Sequence, residues 1–183
     1  MIVALALACA RPDGGLAPPT RGVEYAKVHR AWTQELMLDH DFELDLVVRA
    51  SLLSDDLRRA QADALADARL ESETARLARH EAWQADRGAW VVVFAAHSPH
   101  EDARRFGLDD DDPWQLRLLA DGQVVEGVGV DRVRKPSADQ VVMYPQLDRW
   151  STLWEARFVR AAATELSLQV VGPHGRGELT WDL

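Results

Sequence analysis

The densest run of chemistry-bearing side chains is His97-Ser98-Pro99-His100-Glu101-Asp102, with two imidazoles and two carboxylates within six residues. Such donors can hold a zinc ion. His97, His100 and Glu101 therefore form a candidate metal centre, and the activity it would serve is hydrolysis by a metal-activated water. The local pattern argues against it. Pro99 interrupts the run, which follows an apolar stretch of strand character, so the helical i,i+4 spacing of HExxH zinc enzymes is missing. Nothing in the sequence fixes a third ligand, and a solvated loop is the plainer expectation. A second run, Asp109-Asp110-Asp111-Asp112, supplies oxygen ligands of the kind calcium takes. Successive residues of an extended chain point to opposite sides, however, and no D-x-D-x-D-G loop is present. An acidic surface loop ended by Asp112-Pro113 is expected there. No G-x-S-x-G elbow and no Walker or Rossmann glycine pattern occurs, so nucleophilic catalysis and phosphate cradling have no support. Arg132-Val133-Arg134-Lys135 is a small basic patch. It would suit anionic headgroups or an acidic partner, or simply protect an edge strand from aggregation. No cofactor follows from any of these patterns.

One further residue carries chemistry of a different kind. Residues 2–8 read I-V-A-L-A-L-A and lead into Cys9, the only cysteine of the chain. A lone cysteine excludes an intrachain disulfide and a cysteine-based zinc site. The apolar run is much shorter than the roughly 20 residues needed to cross a bilayer. It resembles the end of a secretory signal peptide, and Ala6-Leu7-Ala8-Cys9 resembles the lipobox of bacterial lipoproteins, with Ala6 where that motif usually has Leu. The resemblance implies a diacylglyceryl thioether on Cys9, which becomes the mature N-terminus. It also implies a membrane-tethered protein of the cell envelope, facing the periplasm. No Lys or Arg precedes the run. Either an upstream start supplies the basic segment, or the run is a chance apolar terminus.

The elements behind these residues follow from composition and period. The segment 11–22 holds three Pro and three Gly, with Leu16 as its one large apolar side chain. It cannot bury enough surface to offset its ordering entropy and reads as a tether. The expected organisation is a signal and lipobox segment over 1–9, a disordered tether over 10–22 and one globular domain over 23–183. The chain of 183 residues is long enough to bury a real core. Its net charge of −9 repels a phosphate backbone, so duplex nucleic acid is excluded as a partner.

Residues 28–38 are mixed, anchored by Trp32, Leu36 and Leu38. From Phe42 to Ser51 apolar and polar residues alternate, which predicts a strand paired with the segment before it. Ser54 can cap a helix whose first turn holds Asp55 and Asp56. Helical character continues to about residue 87, with Ser72 a plausible division. Residues 90–96 (W-V-V-V-F-A-A) predict a central strand buried on both faces. Residues 97–113 read as a long loop. Beyond it the period is two: strands near 114–118 and 124–125 flank an Asp121-Gly122 turn. Further strands are expected at 141–144, 152–158, 166–170 and 179–183, with a loop over 172–177.

This pattern predicts a mainly β protein: an antiparallel, immunoglobulin-like β-sandwich of about eight strands with a helical insertion (about 54–87) between the second and third. Seven tryptophans are present. Trp32, Trp90, Trp114, Trp154 and Trp181 fall on predicted strands and belong to the expected core. Trp83 and Trp150 are the ones free to stack on a sugar or peptide. The reading that follows is a non-enzymatic, lipid-anchored envelope protein that binds a protein or glycan or serves a structural role. The alternative is a metal-dependent hydrolase centred on His97, His100 and Glu101.

Overall fold

The computed structural model describes residues 22–84, 87–100, 105–109, 111–173 and 175–183. The chain enters through helix α1 (Val23–Ala31), then forms β1 (Thr33–His40) and β2 (Glu43–Leu52). Two helices, α2 (Asp55–Ala68) and α3 (Glu73–Gln84), fill the connection to β3 (Ala89–His97). Then follow β4 (Phe106–Gly107), β5 (Trp114–Ala120), β6 (Gln123–Val125), β7 (Gly127–Val133) and α4 (Ala138–Met143). Strands β8 (Thr152–Val159), β9 (Glu165–Gly172) and β10 (Gly175–Asp182) complete the fold.

The strands build two sheets. The first has the order β1-β2-β3-β8-β7 and is antiparallel throughout. The second has the order β10-β9-β5-β4, with β6 also on β5, and β4 pairs with β5 in parallel. Period two explains how they meet. Leu46, Val48, Ala50 and Leu52 of β2 and Trp90, Val92, Phe94 and Ala96 of β3 share one core with Leu116, Leu118, Leu166, Leu168 and Val170 of the opposite sheet. Each Val, Leu or Phe side chain among them contributes about 1.5–3 kcal/mol when fully buried. The protein is thus mainly β, with two packed sheets and a helical insertion between β2 and β3.

The continuous apolar run of β3 has a second explanation. Its alternate residues Val91 and Val93 face away from the other sheet and pack under Tyr25, Leu57, Leu65, Met143 and Tyr144. Helices α1, α2 and α4 therefore cover this outer face, and the strand is buried on both sides. The local caps are as the sequence implies. Ser54 Oγ accepts from Leu57 N at 3.1 Å, and Ser72 Oγ accepts from Ala75 N at 3.3 Å, dividing α2 from α3. Among the described residues, no helix is long and apolar enough to cross a membrane.

Several expectations need correction. Residues 141–144 are not a strand but the end of α4 and its cap. A reciprocal capping box decides this: Gln140 N donates to Ser137 Oγ at 3.2 Å and Ser137 N to Gln140 Oε1 at 2.9 Å. That local bonding outweighs the strand preference of Val141 and Val142. Residues 23–31 form a helix, with Tyr25 and Val28 on its packed side, although Gly22 gives it no side-chain cap. Trp32 is the C-cap residue of that helix, half-buried, and not part of a strand. The stretch 97–113 includes β4, and the stretch 172–177 is mostly strand, since Gly172 pairs with Gly175.

The two sheets close against each other along one side, where β1 meets β10. Trp181 Nε1 donates to the Trp32 carbonyl at 3.0 Å, and Leu36 lies on Gly177 so tightly that a Cβ there would stand 2.3 Å from its Cδ1.

Candidate binding surface

Of the predicted site residues, the described ones, His97 and His100, face different neighbours. His97 ends β3, and its Nδ1 lies 3.1 Å from the Trp150 carbonyl oxygen. His100 instead places Nε2 3.8 Å from Oδ1 of the buried Asp45 on β2. Each imidazole is thus turned to a different neighbour. Glu101 and Cys9 lie outside the described residues. Among the described residues no three His, Cys, Asp or Glu side chains come together to hold a metal. In the aspartate run, Asp112 N donates to the Asp109 carbonyl at 3.2 Å and closes a turn. The Asp112 carboxylate lies on the β4 backbone, in the space a Cβ at Gly107 would need. Asp110 is outside the described residues. Arg132 sits on β7, an edge strand of the first sheet, and Arg134 and Lys135 follow it, all exposed. That is the position in which charges discourage edge-to-edge pairing.

A buried serine–histidine pair was invisible in the sequence. His29 Nε2 and Ser51 Oγ are 3.4 Å apart, and Ser51 also meets Thr33 Oγ1 at 2.8 Å and Gln146 Nε2 at 2.9 Å. Ser51 has no exposed surface. This cluster ties α1 to β1, β2 and the 144–151 loop, and it offers no nucleophile to solvent.

The described surface with the clearest capacity to bind lies on the first sheet, where the helices stop. Met37, Val47 and His97 stand in one row across β1, β2 and β3. Alternation puts all three on the outer face, and Met37 is 59% exposed. Beside them the exposed Trp150 carries the Arg149 guanidinium 4.6 Å over its ring. The loop holding Trp150 is fixed by Asp148, whose Oδ1 accepts from Trp150 N, Ser151 N and Ser151 Oγ, each at 2.8 Å. Partial burial disfavours the Asp148 charge. The Ser151 and Trp150 hydrogen bonds and the Arg49 charge outweigh that and hold its carboxyl below the usual aspartate range. Arg49 in turn pairs with Glu35 and lies 3.6 Å from Asp148, which locks the loop to the sheet.

The most unusual feature lies at the tip of the β1–β2 hairpin. His40 pairs with Glu43, leaving Asp41 and Phe42 as a two-residue turn. Both have positive φ, 49° and 69°. That is the arrangement of a type I′ turn, in which glycine is the favoured second residue. Asp121 and Gly122 build the same turn between β5 and β6, with φ of 46° and 78°. At the first hairpin a phenylalanine occupies the glycine position and its side chain is wholly exposed. A bulky residue held there costs about 1–2 kcal/mol. No burial of the ring offsets that cost. The sequence signal was the polar break at Asp39-His40-Asp41 followed by an aromatic, which reads as the start of a strand until the register is known.

Of the other tryptophans, Trp90, Trp114, Trp154 and Trp181 are buried as expected, and Trp83 is half-buried against the helical layer. No protein-family model matches this chain, and no curated protein matches it.

Proposed function

We propose that this chain is a non-enzymatic binding protein of the cell envelope, anchored by a lipid on Cys9, that engages a protein or glycan partner through the β1–β2 hairpin tip and the adjoining Met37–Trp150 surface. The observation that carries the reading is Phe42. A large aromatic side chain is held wholly in solvent on a backbone conformation that disfavours it. Strain of this kind clusters where a surface serves a ligand. The exposed Met37 and Trp150 supply the mixed apolar and aromatic character typical of the centre of an interface. Within this reading the fold is an immunoglobulin-like sandwich. Two facing, antiparallel-rich sheets support that assignment, while the consecutive strands β1-β2-β3 in one sheet depart from it.

The test places a photo-crosslinking residue at position 42 of the full chain in its native envelope, with Val124 of β6, also exposed, as the control position. A discrete adduct from position 42, absent at 124 and lost in Trp150→Ala, is expected. Identical products from both positions, or none from 42, refute the binding surface. The anchor is tested separately by metabolic labelling with a fatty-acid analogue. Equal labelling of the wild type and Cys9→Ser would overturn it.

A further inference from the structure

We propose that the groove between α1 and α2 shelters one acyl chain of the lipid carried by Cys9, which turns a two-chain membrane anchor into a reversible one. The inference rests on the lipid anchor proposed above. The helix periods build the groove. Tyr25, Val28 and Trp32 recur at i, i+3 and i+7 along α1 and its C-cap, and Ala60 and Ala64 stand one turn apart on α2. Together with Ala31 they form an apolar floor. All but Ala31 belong to, or pack against, the buried cluster on the outer face of the first sheet, so the floor continues the core. The two alanines leave room above it. The groove has a volume of about 520 Å³, within the roughly 300–1,000 Å³ typical of small-molecule sites.

The rim does not favour an ion. Its aspartates are already matched by cations: Asp56 lies 3.5 Å from Arg59, Asp63 3.0 Å from His80 and Asp67 2.5 Å from Arg76. Glu24 and Lys27 add one charge of each sign. What the groove offers is apolar surface, which suits an uncharged hydrocarbon chain. Each methylene taken out of water strengthens such binding about fourfold. The occupant follows from the chain that leads into Gly22, which itself lines the groove. Ala10 to Gly22 is 13 residues, a span of at most about 45 Å, whereas the nine residues of α1 make a helix about 14 Å long. A lipid on Cys9 therefore reaches every part of the floor. Its attachment makes the binding intramolecular, at an effective concentration on the order of millimolar. A diacylglyceryl group carries two chains. One chain alone gives only reversible membrane binding, whereas two hold a protein stably. Sheltering one of them leaves the protein able to leave the bilayer.

The experiment alkylates the full chain at Cys9, its only cysteine, with a hexadecyl maleimide that carries a diazirine at the far end of the alkyl chain. After irradiation, peptide mass mapping should place the adduct on residues 25–32 and 60–64. Dodecyl maltoside below its micellar concentration competes for the same surface and should displace it. Ala60→Phe with Ala64→Phe fills the groove. It should abolish the adduct and raise flotation of the alkylated protein with phosphatidylcholine vesicles by about tenfold, as the released chain enters the bilayer. The same variant without the alkyl chain should not float, which separates release from unfolding, and Val124→Phe should change neither readout. Adducts scattered over the surface, an adduct that the detergent does not reduce, or unchanged flotation of the filled variant would overturn the proposal. Alkylation in vitro does not depend on acylation in the cell, so the two failures are distinct. Fatty-acid labelling of Cys9 in cells with no α1–α2 adduct overturns the groove and leaves the anchor. An adduct with no such labelling overturns the occupant through the anchor.

Discussion

Replacing Phe42 by glycine should stabilise the protein while removing its most exposed aromatic. The magnitude follows from the turn. Phe42 has φ of 69°, and a side chain in that region costs about 1–2 kcal/mol relative to glycine. Glycine loses about 0.5–1 kcal/mol more backbone entropy on folding. The ring has no buried surface to forfeit, because it is wholly exposed. The balance is a gain of about 0.5–1 kcal/mol, corresponding to roughly 2–4 °C per kcal/mol in Tm for a domain of this size. Phe42→Gly also creates the Asp-Gly pair already used between β5 and β6. Urea unfolding followed by tryptophan fluorescence should show a higher midpoint at unchanged slope. Phe42→Ala keeps the strained backbone and should leave stability near the wild type. The reciprocal change, Gly122→Ala, has open space for its Cβ and should lose about 1 kcal/mol through φ alone. A Phe42→Gly variant no more stable than the wild type, or matched by Phe42→Ala, would refute the claim of stored strain. It would also remove the main support for a binding role at this tip.

Other outcomes follow from packing and charge. Gly172→Ala should lose about 1–3 kcal/mol, because its Cβ would lie 2.0 Å from the Trp114 ring, which is buried and cannot yield. Gly177→Ala should cost less, since it meets only the tip of the half-buried Leu36, and chemical denaturation of both ranks them. Burial pushes the Tyr144 phenol up to about 12. Its neutral form therefore stabilises the fold fully below the ordinary value of 10, and that stability fades as pH rises from 10 through about 12, a loss absent from Tyr144→Phe. Asp121 accepts from Thr164 N, Glu165 N and Thr164 Oγ1, which hold its carboxyl below the ordinary 3.8. Asp121→Asn should lower Tm at neutral pH. The difference should shrink as pH falls below 3.8 and the wild-type carboxylate protonates in the folded state. A pH-independent difference would show that charge plays no part.

Much of this fold was legible in the sequence because it is written in local signals. The alternation in β2, β8, β9 and β10 follows from one face meeting the other sheet. Ser54, Ser72 and Asp121-Gly122 act on residues next to them, and the structure uses each as expected. Where the reading failed, a competing local or distant interaction won. The Ser137–Gln140 capping box made a helix of two valines. Without a cap at Gly22, α1 depends on Tyr25 and Val28 packing against the first sheet and its covering helices.

The sites divide in the same way. Which residues carry imidazole, carboxylate or guanidinium is plain in the chain, and Cys9 remains the one residue whose neighbours alone suggest an address. Whether such groups converge is decided by the tertiary structure. His97 and His100 are neighbours in sequence yet turn to Trp150 and Asp45. Arg59 and Arg87 are far apart in sequence yet line one pocket. The reason is physical. Period and caps act over a few residues and set which face a side chain occupies, whereas helix–helix and sheet–sheet packing sets what that face meets. Phe42 shows the boundary between the two: its aromatic character belongs to the sequence, and its exposure on a strained turn follows from the register of β1 on β2.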